Sequence, residues 1–314
     1  MTSMTTTTDC RLLCAATCAY DITASGNFTA VSPHYPVVGW KAVPTPYVAG
    51  ADDINGCLIG TNLEDGIVLA FRGTLPPTSL NIPPQVRDWM QDFLAEPVAK
   101  PGSLPNAMKV HDGFWKAVDS LWPQMLPAVQ ELLASETQPK LYIAGHSKGG
   151  AMAAIAAARL FTEENIVAAG VYMYAAPRAG NSTFVLDFPS AIPVFRYEHY
   201  LDIVPFLPPN LQFIDLIAEV PMLGDLLVKA TGWDYTSLGT LRYIKQDGTI
   251  VGDNPHLNLV RSGEILGQAM LGHWLEIARA HAPWCQGPLS DGGYMRGVCP
   301  TGLCDEFDIS DSRD

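Results

Sequence analysis

A serine between two glycines is the first feature of this sequence that could carry out chemistry. It is Ser147, within the segment LYIAGHSKGG of residues 141–150. A serine can act as a nucleophile when it sits on a sharp turn from a strand to a helix, and Gly145 and Gly149 leave room for that turn. The N-terminus of the following helix then faces the negative charge that develops on an attacked carbonyl oxygen. The spacing therefore predicts nucleophilic catalysis by Ser147, with a purely structural glycine-rich turn as the alternative.

Several further motifs lie at separate positions along the chain. They are FRGT at residues 71–74, RDW at residues 87–89, VHDGF at residues 110–114, APRAGN at residues 176–181 and HYLDIVP at residues 199–205. Each motif taken alone is also compatible with an ordinary strand end or turn. Their order and spacing together are more specific than any one of them.

These motifs, in this order, resemble the class 3 lipases, the fungal-lipase-like branch of the α/β-hydrolases, over roughly residues 10–281. The resemblance implies that Ser147 is the nucleophile and that Asp202, in the D-x-V-P segment, is the acid of a catalytic triad. It further implies that Thr74 and the backbone N–H of Lys148 stabilise the oxyanion. We expect this chemistry to need no metal ion and no organic cofactor.

The base of the triad should follow the acid, because α/β-hydrolases carry their triad in the chain order serine, acid, histidine. Three histidines lie after Asp202, namely His256, His273 and His281. His273 opens the segment HWLEIA inside a late helical pattern. This segment resembles the family's H-x-M-x-x-Y stretch, with leucine and alanine in place of methionine and tyrosine. We therefore predict His273 as the base and keep His256 and His281 as alternatives.

The remaining polar residues of the motifs have simpler interpretations. Lys148 stands where many members of that family have leucine, and we expect its side chain to point to solvent, with pairing to a carboxylate as the alternative. Four residues are expected to brace the strand ends through hydrogen bonds without touching substrate, and they are Asp92, His111, Arg178 and Asn181.

Short apolar runs alternate with helical patterns around these motifs. We predict strands at residues 37–47, 56–61, 67–72, 141–144, 166–174 and 192–197, helices at residues 9–20, 113–133, 149–161 and 263–280, and a hairpin at residues 241–251. The alternation predicts an α/β architecture with a mainly parallel central sheet covered by helices on both faces. The resemblance implies the α/β-hydrolase version of it. Since no repeat or linker divides the sequence, we expect one domain over residues 1–314.

Three stretches exceed what this architecture needs. Residues 75–86 and 206–232 are candidate lid or cap insertions, and residues 284–314 form a polar C-terminal tail. From Phe213 onward, apolar residues recur at positions i, i+3, i+4 and i+7, which is typical of an amphipathic helix. We expect that helix either to rest on the sheet or to cover the site as a lid.

The composition argues against several classes of function. Of the 314 residues, 48% are hydrophobic and 16% charged, which is typical of a globular protein. The net charge of −13, without any basic run, argues against binding to nucleic acids or to anionic membranes. We expect no transmembrane segment, because no apolar run reaches about eighteen residues. No signal peptide is visible, so we expect a cytoplasmic location or export by an unrecognised route.

The seven cysteines fall mainly into two groups. Those of the first group recur every four residues in the first predicted helix, and we interpret Cys10, Cys14 and Cys18 as small buried side chains. The second group lies in the tail and consists of Cys285, Cys299 and Cys304. For these residues a disulfide, free thiols and a metal site with His281 are the alternatives.

These features lead to an expected activity. We expect a serine hydrolase that cleaves carboxylic esters through an acyl-enzyme intermediate, with acylglycerols as the substrate class that the resemblance implies. A neutral lipid interface is the expected partner. The alternatives are an esterase or phospholipase acting on aryl, feruloyl or phospholipid esters, and a lipid-binding pseudoenzyme. The triad cannot separate the ester substrates, because specificity depends on the surrounding pocket.

Overall fold

An eight-stranded sheet lies at the centre of the computed structural model, which describes residues 6–23, 25–74, 92–105, 107–210, 213–215, 230–254, 256–285, 293–300 and 303–304. In spatial order its strands are β1 (Thr45–Ala49), β2 (Asn55–Thr61), β3 (Ile67–Phe71), β6 (Leu141–His146), β7 (Gly170–Tyr174), β8 (Val194–His199), β9 (Thr240–Ile244) and β10 (Ile250–Val251). A separate antiparallel pair consists of β4 (Pro97–Ala99) and β5 (Lys109–His111).

The middle of the sheet is parallel. Strands β3, β6, β7, β8 and β9 pair in parallel, whereas β1 and β2 on one side and β10 on the other are antiparallel. The carboxyl ends of parallel strands meet at one edge of a sheet, and ligands of α/β proteins bind outside that edge. Gly73, Ser147 and Asp202 all follow such strand ends. The mainly parallel sheet that we predict from the sequence is confirmed.

Helices cover both faces of the sheet. The described residues form α1 (Thr8–Cys18), α2 (Tyr35–Val38), α3 (Asp112–Ser135), α4 (Lys148–Glu164), α5 (Ser182–Leu186), α6 (Leu257–Met270), α7 (Trp274–Arg279) and α8 (Gly293–Val298). Helices α3 and α4 pack on one face, and α1 and α8 pack on the other. None of the helices in these parts of the chain combines the length and the apolar character that crossing a bilayer requires.

The two faces of the sheet carry separate apolar cores, because alternate residues of a strand point to opposite sides. Leu69 and Ile143 belong to the core under α3 and α4, while Val68 and Ala144 belong to the core under α1 and α8. All four side chains are fully buried. Burial on both faces explains why these strands consist of continuous apolar runs in the sequence.

Three predicted elements differ from the structure, and one of them, the strand predicted over residues 166–174, begins only at Gly170. The strand predicted over residues 37–47 begins only at Thr45, because the preceding residues form the short helix α2. The helix predicted over residues 263–280 is two helices, α6 and α7. They are separated around Gly272, whose φ of +78° breaks the helical backbone. This break changes the direction of the chain shortly before His281.

Helix α3 is longer and more regular than its sequence indicates. It runs unbroken through Pro123 and Pro127, although each proline removes a backbone donor. Val118, Leu121 and Met125 are fully buried on its inner face. Packing of this apolar face therefore outweighs the local cost of the prolines.

The candidate insertions lie largely outside the described residues. Residues 75–86 are wholly outside them, and of residues 206–232 the structure describes 206–210, 213–215 and 230–232. Within that part, Phe213 is buried and its ring lies 4.7 Å from the ring of Phe206. The amphipathic lid helix stays a prediction.

Two disulfides connect the C-terminal segment. Cys10 bonds to Cys299, which is 289 positions away, and Cys285 bonds to Cys304. Cys10 is buried as we predict, but it also forms a disulfide that we did not expect, because tertiary packing and not a local pattern brings its partner to it. Cys14 and Cys18, by contrast, are free and buried.

The C-terminal segment is less polar than we expect from its sequence. Tyr294 and Met295 of α8 are fully buried against the face of the sheet that α1 also covers. The described part of residues 284–314 therefore contributes to a core and brings side chains close to the end of β8.

Candidate active site

Ser147 occupies a strained turn between β6 and α4. Its backbone angles are φ 58° and ψ −134°, a conformation that residues other than glycine rarely adopt. A Cβ at Gly145 would lie 2.1 Å from the carbonyl oxygen of Gly149, and a Cβ at Gly149 would lie 2.4 Å from the carbonyl oxygen of Phe71. Both positions therefore require glycine, and the strand, turn and helix predicted around Ser147 are present.

A line of three hydrogen-bonded side chains begins at Ser147. Nε2 of His281 lies 2.9 Å from Oγ of Ser147, and Nδ1 of His281 lies 3.0 Å from each carboxylate oxygen of Asp202. All three residues are buried, and Asp202 is fully so. An ionised carboxylate only accepts, so Nδ1 of His281 donates and Nε2 is left to accept the proton of the serine hydroxyl. This arrangement has the geometry and the tautomer of a serine–histidine–aspartate triad.

The structure does not bring His273 to the nucleophile, and our prediction of His273 as the base was wrong. His273 is exposed between α6 and α7, where its Nδ1 lies 2.7 Å from Oε1 of Gln268. His256 is also exposed, at the start of α6. The partial sequence motif favoured His273, but the chain turns after α6. His281, beyond the end of α7, is the histidine that reaches Ser147.

Two neighbouring histidines hold the backbone that carries His281. Nε2 of His146 lies 2.7 Å from the carbonyl oxygen of His281, and Nδ1 of His199 lies 3.1 Å from that of Ala280. Because carbonyl oxygens only accept, both ring nitrogens donate. Burial, together with the nearby His281, lowers the pKa of His146 well below its usual value, so this ring is neutral. Its Nδ1 therefore accepts from the hydroxyl of Tyr20 at 2.8 Å.

Asp202 receives hydrogen bonds from two groups besides His281. The backbone N–H of Val204 donates to Oδ1 at 2.9 Å, and the hydroxyl of Tyr294 donates to Oδ2 at 2.6 Å. The same hydroxyl oxygen accepts the N–H of His199 at 3.0 Å, which leaves its proton for Asp202. Burial and the adjacent Asp202 raise the pKa of Tyr294 well above its usual value, so the phenol stays a donor.

Tyr294 is a functional residue that we did not predict, because it belongs to a segment that we interpret as a polar tail. The signal that could have found it is its position between Cys285 and Cys304, which form one disulfide, and shortly before Cys299, which forms the other. A Cβ at Gly293 would lie 2.2 Å from Cε1 of His199, so the start of α8 requires glycine to approach this closely.

The loop after β3 passes directly beside the nucleophile. A Cβ at Gly73 would lie 3.0 Å from Cβ of Ser147 and 2.1 Å from the hydroxyl of Tyr20. Thr74 comes next and is partly buried, while Lys148 is the first residue of α4, where backbone N–H groups have no acceptor within the helix. Thr74 and Lys148 therefore each follow a residue that lies at the nucleophile, Gly73 and Ser147 respectively. Their role as oxyanion donors stays a prediction.

The side chain of Lys148 turns away from solvent. Its Nζ donates to Oδ1 of Asn55, at the start of β2, over 2.7 Å. Burial, together with the nearby guanidinium of Arg72, lowers the pKa of Lys148 to about 8, although Asp92 acts in the opposite direction. Our expectation of a solvent-exposed side chain was wrong, because Asn55 offers an acceptor inside the protein. This contact ties the residue after the nucleophile to the sheet.

Three of the residues expected to brace the strand ends do so through hydrogen bonds. Nδ1 of His111 accepts from the N–H of Phe114 at 3.3 Å, and the two rings stack. Oδ1 of Asn181 accepts from the first N–H of β5 at 2.9 Å. Arg178 donates to two carbonyl oxygens of the loop that follows Asp202. These residues support the site without lying in the triad.

One group of sulfur atoms in the described residues has a spacing that could hold a metal ion. The sulfurs of Cys10, Cys14 and Cys299 lie within 4.8 Å of one another. Since Cys10 and Cys299 share a disulfide, Cys14 is left as the one thiol of this group. The alternative metal site with His281 is not formed, because both of its ring nitrogens contact the other triad residues.

Part of the chain is similar in sequence to known proteins. The family model described as lipase (class 3) matches residues 68–212. A lipase of Rhizopus niveus is 31% identical over 170 residues, which are 53% of this chain and 41% of that protein. The secreted mono- and diacylglycerol lipase A of Penicillium cyclopium is 30% identical over 156 residues, which are 50% of this chain and 47% of that protein. The chain therefore spans less than half the length of these curated relatives.

The similarity to solved structures covers more of the chain than the similarity in sequence does. The triacylglyceride lipase of Rhizomucor miehei superposes with a TM-score of 0.57 at 20% identity, covering 74% of this chain and 78% of that one. At this level of identity the likeness shows the fold, and the predicted α/β-hydrolase fold is confirmed. The family match contains Thr74, Ser147 and Asp202 but ends before His281 and Tyr294.

Proposed function

We propose, from the match of residues 68–212 to the class 3 lipases, that this chain hydrolyses carboxylic esters with Ser147 as the nucleophile. The observation that carries the proposal is the 2.9 Å contact between Oγ of Ser147 and Nε2 of His281. Ser147 attacks the ester carbonyl while His281 takes its proton and later delivers it to the leaving alcohol. Water then cleaves the acyl-enzyme by the same proton transfers. Asp202 holds the imidazole tautomer and stabilises the imidazolium.

Thr74 and the backbone N–H of Lys148 stabilise the oxyanion of the tetrahedral intermediate. The close passage of Gly73 beside Ser147 and the start of α4 at Lys148 support this assignment. Loss of one such donor typically costs about 2.7–4 kcal/mol of transition-state stabilisation. Ester hydrolysis by this route uses the side chains and backbone of this chain alone.

Acylglycerols presented at a neutral lipid surface are the substrates that we propose. The named relatives include a mono- and diacylglycerol lipase, which supports glycerol esters over aryl or feruloyl esters. The net charge of −13 favours neutral over anionic lipid surfaces. Residues 75–86 and 206–232 are proposed as covers that open at such a surface, where exposing apolar side chains is less costly than in water.

An oxidising compartment is the proposed site of action. Two disulfides support this location, because structural disulfides form and persist mainly outside the cytosol. The Penicillium cyclopium relative is named as a secreted protein, which agrees with it.

The central experiment compares Ser147→Ala with Ser262→Ala, a change at a buried serine in α6. On a chromogenic ester, Ser147→Ala should lower kcat by several orders of magnitude, whereas Ser262→Ala should stay near wild type. If folded Ser147→Ala keeps more than about a tenth of wild-type kcat, the nucleophile is misassigned. Glycerides, phospholipids and aryl esters, each assayed below and above its solubility limit, then identify the substrate class and test the proposed covers.

A further inference from the structure

A polar cavity of about 250 Å³ lies beside the loop that follows Asp202. Its walls come from β8, from the start of α6 and from the loops after β7 and before β9, and they include Arg178, Arg196, Glu198, Phe206, Ser237 and Arg261. None of the three triad residues lines it. The cavity is therefore a separate feature, and the proposed ester hydrolysis leaves it without a role.

Three arginine side chains converge on this cavity, and all are largely withdrawn from water. The exposed fraction is 1% for the Arg261 side chain and 11% for that of Arg196, and Arg178 is also buried. Glu198 is the one buried carboxylate among the described residues of the cavity wall, and it pairs with both Arg196 and Arg261. Asp253 lies on the exposed rim. The buried wall thus carries two more positive than negative charges.

Uncompensated charge in a buried site is unfavourable. The effect is visible at Arg178, where burial and the neighbouring Arg196 and Arg261 lower the pKa to about 10 even though Glu198 acts in the opposite direction. The excess is local, because the chain as a whole has a net charge of −13. A negative group in the cavity would reduce this excess of positive charge.

Arg261 also has a donor without an acceptor. Nε of Arg261 is buried and has no hydrogen-bond partner among the described residues. Nη1 of Arg261 is 3.4 Å from Oδ1 of Asn258, which is a long contact. The guanidinium lies 4.8 Å from the ring centroids of both Phe206 and Tyr243 and pairs with Glu198, so it is held in place although Nε is unsatisfied. Buried donors normally have partners, so this orphan indicates a missing acceptor.

We propose that this cavity binds a small oxyanion of the phosphate or short-chain carboxylate class, held by Arg178, Arg196 and Arg261. The planar guanidinium fork matches the oxygen spacing of both groups. One such ion would both offset the excess positive charge and offer an acceptor to Nε of Arg261. The mainly polar walls suit a compact ion better than an acyl chain. The inference does not depend on the proposed ester hydrolysis.

Binding should stabilise the loop that follows Asp202. Nη1 of Arg178 already donates to the carbonyl oxygens of Phe206 and Pro208, at 3.1 and 2.9 Å. An ion on the other side of the same guanidinium would fix it further, and any ligand that binds only the folded state raises the melting temperature. The expected consequence is a gain in stability without a direct contact to the triad.

Thermal unfolding of the full chain tests the proposal with three probes, each compared with sodium chloride at equal ionic strength. The probes are inorganic phosphate, glycerol 3-phosphate as a lipid-headgroup analogue, and acetate. A saturable rise in Tm with any of them, beyond that of chloride, supports the site and identifies the class of its ligand. If none of the three gives a saturable rise, the proposal is overturned.

Calorimetric titration of variants with the best probe locates the site. Arg261→Met keeps the volume and removes a charge, and should weaken binding by about tenfold or more. Arg242→Gln is the matched control, since it loses the same charge from an exposed position over the ring of Phe195. Unchanged binding in Arg261→Met, or equal weakening in Arg242→Gln, would contradict the assignment.

A second variant decides the question if Arg261→Met does not fold. Glu198→Gln is nearly isosteric and removes the competing carboxylate between Arg196 and Arg261. It should therefore bind the same probe several-fold more tightly than the wild type. Unchanged or weaker binding in Glu198→Gln would overturn the proposal.

Discussion

The hydroxyl oxygen of Tyr294 lies 2.6 Å from Oδ2 of Asp202, although 92 positions separate the two residues in the sequence. Helix α8 brings Tyr294 there, and disulfides at Cys299 and between Cys285 and Cys304 anchor the segment around it. The proposed catalytic acid is therefore oriented by a part of the chain that lies beyond the residues matching the family model. Tyr294 acts through Asp202 and is a positioning residue.

Replacing Tyr294 by Phe should lower kcat by about tenfold or more, because a hydrogen bond to a charged group is worth roughly 1.5–3 kcal/mol. The acidic limb of the pH profile of kcat/KM should also move, since the carboxylate that faces His281 loses a donor. Tyr197→Phe is the matched control, because this buried tyrosine also donates to a carboxylate, that of Asp9, away from the triad. Identical pH profiles in all three proteins would leave Tyr294 with a structural role alone.

His281→Ala should reduce kcat nearly as far as Ser147→Ala, because the imidazole moves the proton in both chemical steps. His273→Ala changes the exposed histidine at the start of α7 and should keep near wild-type activity. Steady-state kinetics on a soluble ester compares the two directly. A large loss in His273→Ala with little loss in His281→Ala would show that the base lies elsewhere.

Lys148→Met should keep kcat within a few-fold of wild type, because the proposed oxyanion donor is the backbone N–H and not Nζ. Stability should respond differently. The pKa of Lys148 is about 8 in the folded chain and 10.5 ordinarily, so the unfolded state binds more protons between these values. The free energy of unfolding of the wild type should therefore rise between about pH 8 and about pH 10.5 because of this lysine. Lys148→Met should lack this rise. A hundredfold loss of kcat would instead make Nζ itself a donor.

Acid should destabilise the fold through buried histidines. Burial lowers the pKa of His34 and of His111 to about 4 from an ordinary value of 6.5. Between these values the unfolded chain binds protons that the native state does not, so stability falls as the pH falls, by on the order of 2 kcal/mol for each histidine at about pH 5. Urea unfolding should show a smaller loss for His34→Gln than for the wild type. The control His256→Gln changes an exposed histidine and should lose as much stability in acid as the wild type. Equal losses in the wild type and both variants would show that burial of His34 is not the cause.

The two disulfides should contribute unequally to stability. In the chain-entropy account, the bond between Cys10 and Cys299 is worth about 6 kcal/mol and that between Cys285 and Cys304 about 3 kcal/mol, because the first closes a far longer loop. Each pair is replaced by serines, and the free energy of unfolding is measured in urea. The reverse order would show that native-state contacts, and not loop length, control the effect.

Local motifs explain why part of the site could be predicted from the sequence. The turn at Ser147 needs glycines at fixed positions, and the segment around Asp202 is a short motif at the end of a strand. The mainly parallel sheet follows in the same way from short apolar runs that alternate with helices. In each case the information lies within a few neighbouring residues.

Long-range contacts explain what could not be predicted. His281 reaches Ser147 because the late helix breaks at Gly272 and because His146 and His199 hold the backbone after α7. No spacing in the sequence distinguishes this histidine from His273. The disulfide partner of Cys10 and the donor Tyr294 are likewise set by packing between segments far apart in the chain.

The bond between Cys10 and Cys299 also has a consequence for biosynthesis. Its two ends are 289 positions apart, so a ribosome must make all of the intervening chain before the bond can close. The nucleophile, the acid, His281 and Tyr294 have all been synthesised by then, and what the bond adds is the anchoring of α8 to the N-terminal helix. We expect a nascent chain to hold a complete set of reactive side chains in an unfinished arrangement. Oxidation of this pair would then fix α8, and with it the donor to Asp202, in its final place.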